Sequence, residues 1–352
     1  MNISLFAARV VFIFFIATLG SCGPREEYYS TGYFRKVPKI DAHFHYLTFD
    51  TRYMKFASDN NFRLLCPNWD GEYSIDDQMK ISVSVKHDFP DKFAFFGTFS
   101  VDSFGSPDFA EKTISRIKDC MKSGASGIKI WKNIGMVLKD HNGRYVMIDD
   151  PAFVPVFSYL EEHRIPVMGH LGEPRDCWLP ENEMIDPGAV SYFKANPQYY
   201  MYLHPEAPSY DAQIDSRDRV LEKYPELDFI GAHLASLEWS VDKLGEHLEK
   251  FPNLKADMAA RMYPIQYQSN KDREKVRNFM IKYQDRILYG TDFSVYDKAG
   301  QSSDDIMKNL YKGWLDQWIF LATDSTISVK GLKLPKEVID KIYYKNAEQF
   351  FQ

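Results

Sequence analysis

The stretch Ile40-Asp41-Ala42-His43-Phe44-His45 is an apolar run that leads into side chains able to bind a metal ion. Three later stretches have the same layout, and they lie at residues 165–170, 229–233 and 287–292. In a barrel of parallel strands the carboxyl ends of the strands converge on one mouth, so residues far apart in sequence meet there. The four endings together therefore predict one site at the mouth of such a barrel.

Eight short apolar runs are predicted strands, and stretches with helical spacing separate many of them. The strands are predicted at residues 39–45, 62–66, 93–101, 127–132, 165–170, 227–233, 254–257 and 287–292. Helices are predicted at residues 108–123, 150–163, 211–224, 237–251 and 273–283. This alternation favours parallel pairing and an α/β fold, and eight repeats predict a single-domain (β/α)8 TIM barrel. An open doubly wound sheet is the main competitor, but no G-x-G-x-x-G or P-loop follows a predicted strand.

The first 21 residues are predicted to be a lipoprotein signal peptide rather than part of the fold. The apolar run from Val10 to Leu19 is shorter than the roughly 18 residues that span a bilayer, and it has the length of a secretion signal. It ends in Leu19-Gly20-Ser21-Cys22, which resembles the cleavage box of bacterial lipoproteins. Cys22 is therefore the predicted lipidation site, and a buried amphipathic helix is the alternative.

The remaining chain is predicted to be a tether at residues 22–37 and one barrel domain at residues 38–352. The tether is predicted because the stretch after Cys22 is polar and lacks periodicity. The protein is then an exported lipoprotein that faces the periplasm or is displayed on the cell surface. Within the barrel, a long insertion follows the fifth strand at about residues 171–208, and it is predicted to be a lid or packing decoration. Pro335-Lys336-Glu337 predicts a helix start.

Composition excludes several classes of protein. A content of 45% hydrophobic and 26% charged residues is that of a globular chain and excludes collagen, coiled coil and general disorder. Lys and Arg number 43 against 49 Asp and Glu, without a long basic run, so no nucleic-acid partner is predicted. After Cys22, the cysteines are Cys66, Cys120 and Cys177, without a C-x-x-C pair, which predicts neither a disulfide framework nor a cysteine metal site. The sequence leaves a homo-oligomer open.

The strand-end residues suit a transition metal. His43 and His45 are two apart, so they point to the same face of a strand. Imidazoles together with a carboxylate suit zinc, manganese or iron, and zinc is the first choice. A lone histidine at a strand end is more often a hydrogen-bonded core residue, but the four endings together favour a metal site.

These motifs, taken in order, resemble the amidohydrolase superfamily in its amidohydrolase-2 branch, which includes aminocarboxymuconate semialdehyde decarboxylase and metal-dependent lactonases. The resemblance covers about residues 38–350, and its markers are Asp41-Ala42-His43-Phe44-His45, Gly127-Ile128-Lys129-Ile130, Gly169-His170, Gly231-Ala232-His233 and Gly290-Thr291-Asp292. It implies four metal ligands, namely His43, His45, His170 and Asp292. It further implies that His233 is an acid/base beside one metal ion, and that Lys129 is either a carboxylated bridge between two ions or a cation of the pocket. One ion is favoured over two.

The function implied by the resemblance is metal-dependent hydrolysis of a lactone, ester or amide carbonyl in a small substrate. Asp292 and His233 are the implied catalytic residues, because a carboxylate and a histidine can move protons near neutral pH. A metal-dependent decarboxylase is the second choice, since the same ligands serve both reactions. A solute-binding lipoprotein without turnover is a third hypothesis.

Four further residues are candidates for binding the substrate. Arg175 follows His170 by five residues, and Arg261 lies beyond the seventh strand, so both belong to mouth loops where an arginine can bind a carboxylate bidentately. Trp131 and Trp178 are candidates for a stacking wall. Solvated surface arginines and buried core tryptophans are the alternatives.

Overall fold

The computed structural model describes residues 27–297, 300 and 302–351. The predicted signal peptide and Cys22 lie outside these residues. Among the helices of the described residues, none is long and apolar enough to cross a membrane.

Eight parallel strands form one curled sheet. They are β1 (Lys39–Asp41), β2 (Phe62–Pro67), β3 (Phe93–Thr98), β4 (Ile128–Ile130), β5 (Val167–Gly169), β6 (Phe229–Gly231), β7 (Leu254–Asp257) and β8 (Ile287–Leu288). Each strand pairs in parallel with the next, in sequence order. The first and last strands meet where the amide of Ala42 donates to the carbonyl of Tyr289 at 2.9 Å. A short parallel pair, His45–Leu47 with Ser294–Tyr296, continues this seam. The predicted α/β fold with a parallel eight-stranded sheet is confirmed.

Helices surround the sheet and follow the predicted order. They are α1 (Arg52–Asp59), α2 (Ile75–Asp88), α3 (Phe109–Lys122), α4 (Val154–Glu162), α5 (Pro187–Ala195), α6 (Tyr210–Lys223), α7 (Val241–Lys250), α8 (Met262–Lys271), α9 (Arg273–Lys282), α10 (Ser303–Ala322) and α11 (Lys336–Asp340). A π-helical turn, Lys341–Lys345, continues α11, which starts after Pro335 as predicted. Two four-residue turns, Asn133–Met136 and Ala232–Ala235, contain non-helical backbone angles and are left unnumbered.

The hydrophobic core has two parts, one inside the sheet and one outside it. The inner cluster contains one or two residues from most of the strands, among them Ile40, Leu65, Met168, Ile230 and Leu288. Ala347 and Phe350 from the C-terminal end complete this cluster. Because the strands are buried on both faces, they form almost continuous apolar runs, as β3 (FAFFGT) shows. The filled interior leaves the carboxyl ends of the strands as the place for a site.

Residues 170–209, between β5 and α6, form a region of short helices. It contains α5 and four 3-10 helices, namely Arg175–Trp178, Glu181–Glu183, Pro197–Tyr199 and Met201–Leu203. A small cluster of its own, including Cys177, Phe193 and Met201, is buried within it. The region therefore has a packed interior rather than the form of an open loop.

The end of the predicted tether packs on the barrel, so the barrel domain begins before residue 38, the boundary predicted from composition. Thr31–Tyr33 form a 3-10 helix, and Phe34 is only 2% exposed. The Phe34 ring lies 5.6 Å from that of Tyr311 and 6.2 Å from those of Phe62 and Trp318. Lys39 at the start of β1 donates to the carbonyl of Phe34. The prediction that the whole of residues 22–37 is a tether is therefore wrong for residues 28–37, because Phe34 is buried and the tyrosines of this segment are partly buried against the barrel.

Replacing Phe34 by alanine is expected to lower the free energy of unfolding by about 3–5 kcal/mol, the usual cost of removing a buried phenylalanine. Urea denaturation measures this change. Thr31→Ala in the same segment is the control, because Thr31 is exposed and surface changes are usually within about 0.5 kcal/mol. Equal stability of Phe34→Ala and the unmodified protein would show that the segment is a tether after all.

Candidate metal centre

His43 follows β1, and a buried carboxylate from β7 fixes its orientation. Its Nδ1 lies 2.9 Å from Oδ2 of Asp257, and both side chains are almost completely buried. Because the carboxylate can only accept, the imidazole donates from Nδ1 and presents the lone pair of Nε2 to the mouth. Burial raises the pKa of Asp257, but the charge and hydrogen bond of His43 outweigh it and hold that pKa at about 2.

Asp292, just past β8, brings its carboxylate to both histidines of the first strand. Its Oδ1 lies 3.0 Å from Nε2 of His45 and 3.5 Å from Nε2 of His43. The backbone of Asp292 is left-handed, with φ of 65°, and its amide donates to the carbonyl of His43 at 2.8 Å. Burial raises the pKa of Asp292, whereas the neighbouring imidazoles hold it well below its ordinary value. Asp292 is therefore a carboxylate at neutral pH.

Gly290 permits the close approach of the last strand to the first. A Cβ atom at position 290 would lie 3.0 Å from Cβ of His43. A larger residue at position 290 would therefore push β8 away from His43 and separate Asp292 from the two histidines.

His170 follows β5 and has a buried nitrogen without a hydrogen-bond partner. Its ring lies 4.2 Å from the ring of His233, and the carboxylate of Glu173 is 3.5 Å from its Nε2. Nε2 of His170 and Nδ1 of His45 are buried and lack a hydrogen-bond partner among the described residues. Burial, with the positive charges of Lys132 and Lys129 next in size, holds the pKa of His170 well below its ordinary value, so its imidazole is neutral.

This donor set fits a divalent metal ion. Ligand atoms of His43, His45 and Asp292 all lie within 4.8 Å of one another. His170 adds a neutral buried imidazole with an unused lone pair, which is costly to bury unless something binds it. Three imidazoles and a carboxylate are ligands that zinc, iron and manganese accept. The described residues thus provide a candidate metal site.

A second group of three, His43, His233 and Asp257, is already bonded internally. Oδ1 of Asp257 accepts the amide of His233 at 2.8 Å and the amide of Ala259 at 3.1 Å, while Oδ2 accepts Nδ1 of His43. These bonds use both oxygens of Asp257 to orient His43 and His233 and leave no carboxylate oxygen free for a second ion. This arrangement favours one ion over two.

His233 is placed by a rare left-handed turn. Residues His233, Leu234, Ala235 and Ser236 have consecutive φ values of 59°, 57°, 55° and 56°. A left-handed conformation costs roughly 1–2 kcal/mol for each residue that has a Cβ. Several hydrogen bonds hold the turn: Ser236 Oγ donates to the carbonyl of Gly172 at 2.9 Å, the Arg217 guanidinium donates to the carbonyl of Ala235, and the Tyr210 hydroxyl donates to the carbonyl of Ser236. No glycine marks this turn in the sequence.

The turn leaves one nitrogen of His233 free for chemistry. Nδ1 of His233 lies 2.9 Å from the carbonyl oxygen of Ala259, which can only accept, so the proton is on Nδ1. Burial and the neighbouring His170 hold the pKa of His233 well below its ordinary value. The imidazole is therefore neutral, with its Nε2 lone pair available as a proton acceptor.

Lys129 in β4 points to the same place. Its Nζ lies 3.3 Å from Nε2 of His43, and the side chain is 1% exposed. Burial lowers the pKa of Lys129 to about 8. Trp131, two residues later, lines the same cavity as Lys129.

Two cavities meet at the centre. The larger, of about 620 Å³, contains Lys129, Trp131 and the two first-strand histidines in its lining. The smaller, of about 320 Å³, lies against the region after β5 and contains Arg261 in its lining. The residues that line both cavities are Lys132, His170, Tyr192, His233 and Asp292. A substrate at the centre therefore has room on two sides.

A buried ion pair fastens the region after β5 to the barrel beside this junction. Lys132 and Glu173 are paired at 5% side-chain exposure each. Nζ of Lys132 also donates to the hydroxyl of Tyr192 at 3.1 Å and lies 4.5 Å from the centre of the Tyr199 ring. This ion pair was not predicted from the sequence. The one feature that indicates it is that a lysine follows β4 and a glutamate follows β5 within a few residues.

Two of the four substrate-binding candidates lie elsewhere. The exposed Arg175 places its guanidinium 4.5 Å over the ring of Trp239, and Trp178 donates from Nε1 to the carbonyl of Pro208 at 3.1 Å. Neither residue belongs to the lining of the two cavities. The region after β5 turns Arg175 outward at a 3-10 helix, a direction that spacing from His170 does not determine. Of the candidates, Arg261 and Trp131 are the two at the site.

Known proteins agree with this fold. The amidohydrolase family model (Amidohydro_2) matches residues 96–352. A crystal structure described as an amidohydrolase II is 16% identical, with 89% of this chain and 99% of that chain covered and a TM-score of 0.51. A 2,6-dihydroxybenzoate decarboxylase from Rhizobium is 13% identical, with 90% and 98% covered and a TM-score of 0.50. At these identities the two structures show a shared fold alone. No curated protein matches the chain.

The family model covers more than half of the chain, and its match includes β4 to β8 with His170, His233 and Asp292. The chain belongs to the amidohydrolase family.

Proposed function

We propose that this protein is a metal-dependent hydrolase of an ester, lactone or amide carbonyl in a small, carboxylated molecule. The observation that carries the proposal is the junction of two cavities at His170, His233 and Asp292. There an unpartnered imidazole, a neutral proton acceptor and a carboxylate lie together, and Arg261 lines the smaller cavity.

His43, His45 and His170 through Nε2, with Oδ1 of Asp292, would hold one divalent metal ion, for which zinc is our choice and manganese or iron the alternatives. When bound, such an ion brings the pKa of water toward 7 and polarises a carbonyl. In this proposal Lys129 is a cation of the pocket rather than a carboxylated bridge between two ions. A second ion would use the group of His43, His233 and Asp257, and Asp257 already uses both oxygens for other hydrogen bonds.

Asp292 and His233 divide the proton transfers. The carboxylate of Asp292 accepts a proton from the attacking water and returns it to the leaving group. His233 accepts a hydrogen bond at Nε2 and so orients the water or the substrate, while its Nδ1 stays bonded to Ala259. Trp131 and Tyr192 from the region after β5 line the larger cavity beside this junction.

Decarboxylation is the second candidate, and the larger cavity favours it. Lys129 and Lys132 line that cavity together with Trp69 and Trp131, so a carboxylated aromatic ring would meet both cations and stacking faces.

Metal analysis of the mature protein, combined with a turnover screen of lactones, esters, amides and carboxylated aromatics, tests the proposal. We expect about one equivalent of metal and hydrolysis that stops on chelation and returns with metal. Release of CO₂ from a carboxylated aromatic, without ester, lactone or amide cleavage, would establish the decarboxylase instead. Tight binding of a solute without any turnover would support a solute-binding lipoprotein.

We also propose that the protein is an exported lipoprotein anchored through Cys22, on the basis of the Leu19-Gly20-Ser21-Cys22 box. Two acyl chains hold a protein at a membrane where one does not. Cys22→Ala is expected to leave the protein unprocessed or to release it from the membrane fraction, as fractionation and intact-mass measurement of expressed protein would show. Ser21→Ala, which keeps a small residue before the cysteine, is the matched control. Normal processing and membrane retention of Cys22→Ala would contradict the anchor.

A further inference from the structure

The smaller cavity contains two buried ionisable side chains, one acidic and one basic, that do not pair with each other. Glu238 is 3% exposed and Arg261 is 9% exposed, and both line this cavity with His170, His233 and Asp292. Among the described residues neither forms an ion pair, because no carboxylate lies within 4.0 Å of Arg261 and no cation within 4.0 Å of Glu238. Buried charges are costly unless they are paired, so this arrangement points to a ligand.

Glu238 has one oxygen that the protein satisfies and one that it does not. Oε1 accepts the backbone N–H of Arg175 at 2.9 Å, whereas Oε2 is buried without a partner. Burial raises the pKa of Glu238 to about 7, which is the behaviour of a carboxyl group with few donors around it. In the carboxylate form of Glu238, Oε2 therefore needs a hydrogen-bond donor.

Arg261 has the opposite requirement. Its Nη1 donates to the carbonyl of Ala260 at 3.1 Å, and its buried Nε has no partner. A guanidinium is always charged and presents its N–H groups in a planar fork that matches a carboxylate. Arg261 therefore needs an acceptor, preferably an anionic one.

We infer that Glu238 and Arg261 form a subsite for a carboxylate that carries a hydroxyl or ammonium group on the neighbouring carbon. Such a group satisfies both side chains at once: its carboxylate accepts from Arg261, and its hydroxyl or ammonium donates to Glu238. A plain carboxylate would leave Glu238 without a donor, and a plain amine or alcohol would leave Arg261 without an acceptor.

This inference rests on the proposed function and narrows its substrate class. Because the subsite shares a cavity with His233 and Asp292, the 2-hydroxy or 2-amino acid end of the substrate lies in the smaller cavity and the scissile carbonyl lies at the junction. The remainder of the substrate extends into the larger, aromatic cavity.

Four small probes test the subsite by calorimetric titration of the metal-loaded mature protein. Mandelate and phenylglycine carry both groups, phenylacetate lacks the donor, and 1-phenyl-1,2-ethanediol, which has no ester to hydrolyse, lacks the carboxylate. We expect mandelate or phenylglycine to bind at least about 10-fold more tightly than phenylacetate and 1-phenyl-1,2-ethanediol, since a hydrogen bond to a charged group contributes about a 10- to 100-fold preference. The tighter of the first two identifies the donor as hydroxyl or ammonium.

Two conservative variants assign the preferences to residues. Arg261→Lys should reduce the preference for mandelate over 1-phenyl-1,2-ethanediol, and Glu238→Gln should reduce the preference for the bifunctional acids over phenylacetate, each by about 10-fold or more. Arg175→Ala is the matched control and should change no ratio, because its side chain lies outside the cavity and its backbone N–H to Glu238 is retained. Thermal melts and metal content identify a variant that has failed to fold.

Unchanged ratios in both folded variants would mean that the metal alone holds the probes, and this would overturn the subsite. Absence of binding by mandelate and phenylglycine at millimolar concentration would overturn it as well. Both readouts are ratios of affinities, so they do not depend on turnover. A protein that hydrolyses esters but shows no such ratios refutes the subsite, while one that shows the ratios without hydrolysis refutes the proposed function.

Discussion

Replacing His43 and His45 together by alanine is expected to abolish metal retention and with it turnover. The two imidazoles are half of the proposed ligand set, and the carboxylate of Asp292 lies within 3.5 Å of Nε2 of each. Without them a metal ion would keep His170 and Asp292 alone, fewer protein ligands than catalytic zinc sites use. Metal content after dialysis and the rate on the best substrate of the screen measure the two effects.

The control for this variant is His87→Ala with His163→Ala. Both of these histidines are exposed on the outer helices of the barrel, so the control changes the number of imidazoles without touching the centre. Its metal content and turnover should equal those of the unmodified protein. Undiminished metal in the His43, His45 double variant would refute the site.

Asp257→Ala is expected to lower both stability and metal affinity. Asp257 is completely buried and accepts from Nδ1 of His43 and from the amides of His233 and Ala259. Its removal leaves three buried donors without an acceptor, and breaking a buried pair in this way costs about 3–5 kcal/mol. Loss of the group that orients a ligand histidine lowers metal affinity by about 10- to 100-fold.

Urea denaturation of the metal-free protein and competition with a metal indicator separate the two effects. Asp285→Ala is a suitable control, because that carboxylate is 67% exposed and pairs with Lys341 at the surface, where an ion pair contributes about 0–1 kcal/mol. Asp257→Asn keeps one acceptor oxygen, so its stability and metal affinity should lie between those of Asp257→Ala and Asp285→Ala. If Asp257→Ala bound metal as tightly as the unmodified protein, the role assigned to Asp257 would be wrong.

Strand positions were predictable because parallel strands covered on both sides have to be apolar. All eight predicted runs overlap an observed strand, although β8 has only two residues where residues 287–292 were predicted. The apolar run there continues into Tyr289 and Gly290, which belong to the seam with His43 rather than to the ladder with β7. Sequence alone does not show where hydrogen bonding to one neighbour gives way to another.

The site was predictable in its residues and less so in its geometry. The candidates His43, His45, His170 and Asp292 were predictable because residues at the carboxyl ends of parallel barrel strands converge on one mouth. The left-handed turn at His233 had no signal, since glycine is the usual mark of that conformation and none is present. Arg175 and Arg261 had similar positions relative to strand ends, and only the loop conformations decided that Arg261 faces the cavity.

The tether prediction failed for residues 28–37 because the average polarity of a segment does not show whether its few aromatic side chains pack on the domain. The segment is polar on average, yet it contributes Phe34 to an aromatic group with Phe62 and Trp318. Tyr29 adds a hydrogen bond from its hydroxyl to Asp340 at 2.9 Å. A few aromatic side chains are enough to fix a segment that is hydrophilic overall.

The packed N-terminal segment has a consequence for how the proposed lipoprotein faces a membrane. The segment lies beside the starts of β1 and β2, where Phe34 meets Lys39 and Phe62, whereas the metal ligands follow the opposite ends of the strands. The six residue-to-residue steps from Cys22 to Tyr28 span at most about 22 Å when the chain is fully extended. An acylated Cys22 would therefore hold the lower rim of the barrel close to the lipid headgroups and direct the mouth toward the aqueous side, so that the substrate arrives from solution rather than from the bilayer.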